Sequence, residues 1–319
     1  MTTTCVYLGE ELAKYSFGDN HPFGPKRHAA FVAEFRRQHL HDKVDVCEPV
    51  RADQAMIELF HEATYVTKVI EQSELPTGYL DGGDTPAFSG MFTAAAHVVG
   101  STIQAVDRVM AGECKRAFVP IAGLHHARRE RAAGFCVFND CGVAIEVLRQ
   151  QHKIQRVAYV DIDAHHGDGV FYSFDDDPDL IFVDLHEDGR YLYPGTGSAD
   201  ESGRGSATGT KLNIPMPMDA NDQDFMRAWE SAEKFLRDKE PQFILLQCGA
   251  DSLDGDPITH MRYSEKAHAH AAKRLCLLAD EYCQGRIVAM GGGGYNLDNL
   301  ARAWCAVVQA FIEHEAITA

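Results

Sequence analysis

No two cysteines in this 319-residue sequence are spaced C-x-x-C, and the nine cysteines are an odd number. A disulfide framework or a structural zinc site built on clustered thiolates is therefore not expected. The cysteines read as reduced, mostly buried thiols of a reducing compartment. No apolar run approaches the roughly 20 residues that cross a bilayer, so no membrane is expected as a partner. The N-terminal MTTTCVYLGEELAKYSF lacks the basic, apolar, small-residue order of a secretory signal, which makes a cytoplasmic protein the default. Basic residues are also scarce: 30 against 47 acidic ones, for a formal net charge of −17. Phosphate binding needs a basic footprint, so nucleic acid is not expected as a direct partner. An acidic surface attracts cationic molecules such as lysine-bearing peptides or polyamines, or else serves only solubility. There is no internal repeat, no low-complexity tract and no Pro/Ser-rich linker, so a single domain over 1–319 is expected. The oligomeric state is left open, a homo-oligomer included.

What is present is a chain with 45% hydrophobic residues, enough for one large buried core. Short apolar runs alternate with longer amphipathic ones, the pattern of parallel strands with crossover helices. Strands are predicted over 5–8, 44–50, 116–123, 156–163, 180–186, 243–251 and 286–294. Helices are predicted over 26–38, 87–111, 139–151, 222–239, 264–283 and 296–314. Two segments, 76–86 and 188–218, read as long irregular loops, and long loops inside compact domains are usually functional. Five apolar runs end in reactive groups: at His125-His126, in the stretch DIDAHHGDG, at His186, at Asp251, and at four glycines followed by Tyr295. Ligands of open parallel sheets bind outside the carboxyl ends of the strands, so one shared site is expected there.

The stretch RVAYVDIDAHHGDGVF, residues 156–171, supplies most of the chemistry. Side chains alternate along a strand, so Tyr159, Asp161, Asp163 and His165 fall on one face. Asp163 and His165 are then close enough to hold one metal ion. Their oxygen and nitrogen donors suit Zn²⁺ well and Fe²⁺ or Mn²⁺ acceptably. Asp251, ending its own apolar strand, is the best third ligand, which leaves an open coordination position. Two carboxylates already neutralise a divalent cation, so such a site acidifies water less than a three-histidine site and needs a separate base and a second electrophile. His125 and His126 are the candidates for the base, and Asp161 and Asp168 are left to orient them. Tyr295 is the candidate electrophile, a neutral phenol placed by Gly291–Gly294.

The blocks DIDAHHGDGV, HHARRERAAGFCVFND, GADSLDGDP and GGGGYN, with HPFGPKR at 21–27 and DTPAFSGMFTAA at 84–95, resemble the signature blocks of zinc-dependent histone deacetylases and bacterial acetoin-utilisation-type deacetylases. The resemblance covers nearly the whole chain in the family's order. It implies an α/β arginase/deacetylase fold, with a central, mainly parallel eight-stranded sheet flanked by helices. It implies Zn²⁺ (with Fe²⁺ as the alternative) on Asp163, His165 and Asp251, and His125, His126, Asp161, Asp168 and Tyr295 as catalytic residues. The substrate would be an acyl-lysine peptide or protein, or an acetylated small amine. Gly134, Phe135 and Tyr193 match the walls of an acyl-lysine tunnel, and Asp84 the rim carboxylate that holds substrate amides. Arg27 matches an arginine lining the internal channel below the metal, and Ile258 occupies the place where polyamine-selective relatives tend to carry Glu. A K⁺ site is implied on Asp161, Asp163, His165, Asp184 and Leu185. Two positions depart from the pattern. Leu124 stands where many relatives have Trp, and Asp184 stands where a Ser often lies beside the cation.

Three rival readings compete with a lysine deacetylase. An acetylpolyamine deacetylase has the same chemistry, but Ile258 argues against it. A binuclear manganese ureohydrolase shares the fold and a DAH element, but needs carboxylates that Asp161 and Asp168 have already committed to histidines. A catalytically inactive acyl-lysine binder would normally lack a ligand or the tyrosine, and none is missing. His268 and His270, two apart in a predicted helix, read as surface residues, and Trp229 and Trp304 read as core.

Overall fold

The structure, a computed structural model, describes residues 4–318. Eight strands form one sheet: β1 (Thr4–Tyr7), β2 (Asp45–Cys47), β3 (Arg116–Val119), β4 (Val157–Asp161), β5 (Leu180–Glu187), β6 (Lys211–Met216), β7 (Phe243–Gln247) and β8 (Ile287–Met290). Every pairing is parallel, and the order across the sheet is β2-β1-β3-β8-β7-β4-β5-β6. The expected arginase/deacetylase architecture is therefore present in an all-parallel form. Helices cover both faces of such a sheet, so its inner strands carry no polar alternation. FILLQ of β7 and VAYVD of β4 are buried at every residue.

The helices begin where side chains can satisfy their free N–H groups. Asn139 caps the helix Asp140–Gln150 by accepting from the Gly142 N–H at 2.8 Å. Asn221 and Asp224 form a reciprocal capping box at the start of Asp222–Lys239. Ser264 caps Glu265–Tyr282.

Three features were not legible in the sequence. Strand β6 lies inside the segment 188–218 that read as irregular. As an edge strand it buries only Lys211, Asn213 and Met216, two of them polar, and tolerates Pro215, which hides its pattern. The helix Ala63–Glu74 is rich in Thr, Val, Tyr and Ile, poor helix formers individually, and is held by burial of Tyr65, Val66 and Val69. His268 is fully buried, contrary to its reading as a surface residue. Its helix packs on β7 and β8 through the stripe of Ala271, Ala272 and Leu275. His268 belongs to that stripe and its Nε2 lies 2.9 Å from the Gly249 carbonyl oxygen. Trp229 and Trp304 lie in the core as predicted.

Candidate metal centre and active site

Parallel strands end together, and the ends of β4, β7 and β8 meet at the middle of the sheet. The chain leaves β4 through Ile162 and Asp163, leaves β7 through Cys248 to Asp251, and leaves β8 through Gly291 to Gly294. These turns, with the loop 120–126 after β3, line a cavity of about 310 Å³.

On its floor, ligand atoms of Asp163, His165 and Asp251 all lie within 4.8 Å of one another, and all three residues are buried. His165 Nδ1 stands 3.0 Å from Asp163 Oδ1 and 3.3 Å from Asp251 Oδ2. Backbone and amide donors fix the carboxylates. Asp163 Oδ2 accepts from Gln247 Nε2 at 2.8 Å and from the Gly293 N–H at 2.9 Å. Asp251 Oδ1 accepts from the Ala164 N–H at 2.8 Å. The other oxygen, Asp251 Oδ2, is buried without a hydrogen-bond partner, and an uncompensated buried carboxylate oxygen is costly. Only glycine fits beside it. A Cβ on Gly293 would sit 2.0 Å from Asp251 Oδ2, and one on Gly249 would sit 1.9 Å from Asp163 Oδ2.

The electrostatics carry the same message. Burial pushes the Asp251 carboxyl up to about 7, helped by the charge of Asp163. Burial also raises Asp161, to about 6, with the Asp184 charge adding to it. Burial disfavours charge on His165 as well. Its hydrogen bond with Asp163 and its close charge contacts with both Asp163 and Asp251 nonetheless hold it well above the usual histidine range. A crowd of buried carboxylates is short of positive charge, and a proton on His165 fills the place of a cation. Two carboxylate donors, one imidazole and an orphaned oxygen facing a cavity fit a single divalent ion.

The two adjacent histidines face the floor from the turn after β3, and their partners differ. His125 Nδ1 is 2.8 Å from Asp161 Oδ2, which also accepts from the Tyr159 hydroxyl at 2.6 Å. His126 Nδ1 is 2.7 Å from Asp168 Oδ1, and Arg128 Nη2 donates to the other oxygen of that carboxylate at 3.1 Å. The two Nε2 atoms are 3.1 Å apart. Burial works against charge on both. At His125 the charges of Asp161 and Asp163 overcome it and raise the pKa to about 9. At His126 burial is reinforced by the charge of His125 and lowers the pKa to about 4. With Nδ1–H donated to Asp168, neutral His126 keeps an unprotonated Nε2, 3.1 Å from the Nε2 of His125. Environments that push two neighbouring groups apart in this way separate an acid from a base.

Tyr295 lines the cavity, and burial holds its phenol well above the ordinary value, so it stays neutral. Asp256 fixes the turn that delivers it, accepting from the Tyr295 N–H at 2.7 Å and the Asn296 N–H at 3.2 Å. Gly134, Phe135, Tyr193, Leu192 and Cys136 form the walls, and Asp84 and Ile258 also line the cavity. Gly134 has φ +52°, and a Cβ there would sit 2.5 Å from His126 Cδ2. The next residue, Phe135, also has a left-handed backbone, φ +68°, a strain typical of binding walls.

Arg27 and the β5 residues lie elsewhere. Arg27 does not line the cavity. It is buried behind Tyr295, donating from Nε to the Gly294 carbonyl at 2.8 Å and from Nη2 to that of Gly292 at 2.6 Å. It therefore supports the glycine turn. Asp184 and Leu185 lie on β5, with Asp184 opposite Asp161 in register. Asp184 is fully buried and accepts from the Gly167 N–H at 2.8 Å, with His186 Nδ1 2.7 Å from its other oxygen. Leu124, at the position of an expected Trp, lines the inner part of the cavity.

Four supporting residues escaped the sequence reading. Gln247 interrupts an otherwise apolar strand, and that interruption was a usable signal. Asp140 accepts from the N–H groups of Gly123 and Leu124, anchoring the histidine turn. Asp256 lies in the GADSLDGDP block and holds the tyrosine turn. Asp81 organises the loop 76–86, where its Oδ1 accepts from Gly83, Asp84 and Thr85. No pattern in the sequence connects Asp140 or Asp81 with the site.

Comparison with known proteins gives concordant results. The Histone deacetylase domain family matches residues 21–311. An acetoin utilization protein, AcuC, of Bacillus subtilis is 37% identical over 92% of this chain and 78% of its own. The protein of the same name from Staphylococcus xylosus is 32% identical over 99% of this chain and 84% of its own. Among solved structures, the HD domain of HDA15 superposes with a TM-score of 0.90 at 25% identity, covering 98% of this chain and 90% of that one.

Proposed function

From the premise that the chain belongs to the histone deacetylase family, we propose that it hydrolyses acyl-lysine side chains as a single catalytic domain. Asp163, His165 and Asp251 would hold one divalent ion, Zn²⁺ or alternatively Fe²⁺. The observation that carries this reading is the buried Asp251 Oδ2, unpartnered on the cavity floor within ligand distance of His165 and Asp163. When bound there, the ion supplies Lewis-acid polarisation of a carbonyl and acidification of water.

The side chains supply the remainder. His126, neutral and held by Asp168, takes a proton from the attacking water at Nε2 and returns it to the departing lysine amine. His125, kept charged by Asp161, contributes positive potential beside the developing oxyanion. The Tyr295 hydroxyl donates a hydrogen bond to that oxyanion, and Arg27 and Asp256 hold the turn that aims it. Gly134, Phe135 and Tyr193 surround the aliphatic part of a lysine and exclude water. Asp84, on the rim, accepts backbone N–H groups of a peptide.

Among substrates, Ile258 puts an apolar side chain where polyamine-selective relatives tend to carry an acid, which favours acyl-lysine over acetylpolyamines and leaves Asp84 as the rim carboxylate. A binuclear site fits poorly, since Asp161 and Asp168 are each bonded to a histidine. Asp184 beside Asp161 supports K⁺ at Asp161, Asp163, His165, Asp184 and Leu185, as a counter-charge to two neighbouring buried carboxylates. The reading predicts hydrolysis of acetyl-lysine peptides that a chelator abolishes and one ion per catalytic site restores. A panel that includes acetylspermidine tests it: faster turnover of the polyamine reverses the substrate assignment, and chelator-resistant hydrolysis defeats the mechanism.

A further inference from the structure

Cys5, Cys47 and Cys114 are far apart in sequence, yet the sheet gathers them. In the β1–β2 register Cys5 faces Asp45 and Tyr7 faces Cys47. With a two-residue period, Cys5 on one strand and Asp45 and Cys47 on the other point to one face. The pairing of Thr4 with Arg116 brings the segment before β3, which contains Cys114, alongside β1. The Sγ atoms of Cys5 and Cys47 and a carboxylate oxygen of Asp45 all lie within 4.8 Å of one another. Cys114 is buried near Cys5 but stays outside that group. Arg108, on the helix Met91–Met110, donates from Nη1 to Cys47 Sγ and from Nη2 to Asp45 Oδ2, the latter at 2.6 Å. The three cysteines are 0, 6 and 2% exposed, while the Asp45 side chain is 47% exposed and opens a path to solvent.

We propose that Cys5, Cys47 and Asp45 bind a second cation of the Zn²⁺ type, outside the catalytic cavity. Two sulfurs and one carboxylate oxygen supply three of the four donors of a tetrahedral zinc site, and water completes the set. The carboxylate argues against Cu(I), which is selected by sulfur donors alone. On binding, each thiol releases its proton to solvent and the three protein donors carry three negative charges. The cation offsets two of them and Arg108, already in contact with two of the donors, offsets a third. Such an ion ties the three-residue edge strand β2 to β1. The catalytic site uses none of these residues, so this site stands or falls independently of the proposed function.

The test uses the full chain under a non-thiol reductant. Loaded with excess Zn²⁺ and desalted, the wild type is expected to retain two ions per chain, Asp163→Asn one, and Cys47→Ser one, the last with unchanged deacetylase turnover. Loaded with Co²⁺, Asp163→Asn should still show sulfur-to-cobalt charge-transfer absorption, which a site of two aspartates and a histidine does not produce. That measurement leaves the cysteines untouched, so it decides the matter even if Cys47→Ser does not fold. A cobalt-loaded Asp163→Asn without the band, or a wild type holding one ion, overturns the proposal.

Discussion

The floor of the cavity and its rim are built by different means. The floor places Asp163, His165, Asp251 and the histidine pair just past strand ends, nearly every polar atom there has a protein donor or acceptor, and neighbours leave room only for glycine beside the carboxylates. The rim is made of loops. Tyr193 is 43% exposed, Asp84 faces solvent, and the loop that bears Asp84 depends on the side chain of Asp81 for its shape. Charge on the floor is held at high desolvation cost and has one use. Charge on the rim is solvated and adjustable. Changes on the floor should therefore abolish chemistry, and changes on the rim should alter which substrate is held.

The largest expected effect is at the ligands. Asp251→Asn should remove the active-site ion and reduce turnover by more than the about 10–100-fold that an outer-shell change costs. Metal content and activity measured on the same preparation check it. Tyr295→Phe should retain the ion and lose about 10²–10³ in kcat, as when one oxyanion donor is removed. Wild-type turnover in that variant would take Tyr295 out of the chemistry. Asp168→Asn removes a charge that raises the His126 pKa, so His126 becomes a weaker base. Its kcat should fall about 10–100-fold. A pH profile adds a sign: His126 must be neutral, so activity rises with pH through about 4 and its acid limb lies well below the usual histidine value. Because the substitution lowers that pKa further, the limb moves to still lower pH. On the rim, Asp84→Ala should raise KM for a peptide about tenfold, the worth of one charge-assisted hydrogen bond, and leave kcat unchanged. An equal KM rise for a small acetylated amine would erase the distinction between floor and rim.

The smallest effect concerns stability. Burial lowers the His61 pKa to about 3, below its ordinary value of about 6.5. The unfolded chain then binds a proton that the folded chain refuses, so stability is full above about 6.5 and lost as pH falls toward about 3. His61→Phe should flatten that part of a melting-temperature profile.

The legible part of the molecule was what local pattern encodes. Seven strands came from apolar runs, and the helix Asp222–Lys239 came with its bounds, because its capping box lies within one turn of chain. The convergence of Asp163, His165 and Asp251 was legible because all three follow the ends of such runs. The edge strand β6 and the buried His268 were not, because each depends on which face the neighbouring elements leave open.

The sequence alone determined the alternation of apolar strands and amphipathic helices, and with it a parallel sheet carrying acids, histidines and a tyrosine at its carboxyl ends. Period-two and period-3.6 burial are properties of neighbouring residues. Only the tertiary structure decided that His125 and His126, adjacent and chemically identical, acquire opposite protonation, since that depends on which carboxylate each one meets and how far both are buried. It likewise decided that Cys5 and Cys47, with no spacing pattern, share one face with Asp45. Such assignments rest on contacts between distant residues, and the strand order that makes those contacts is not written in any local stretch of the chain.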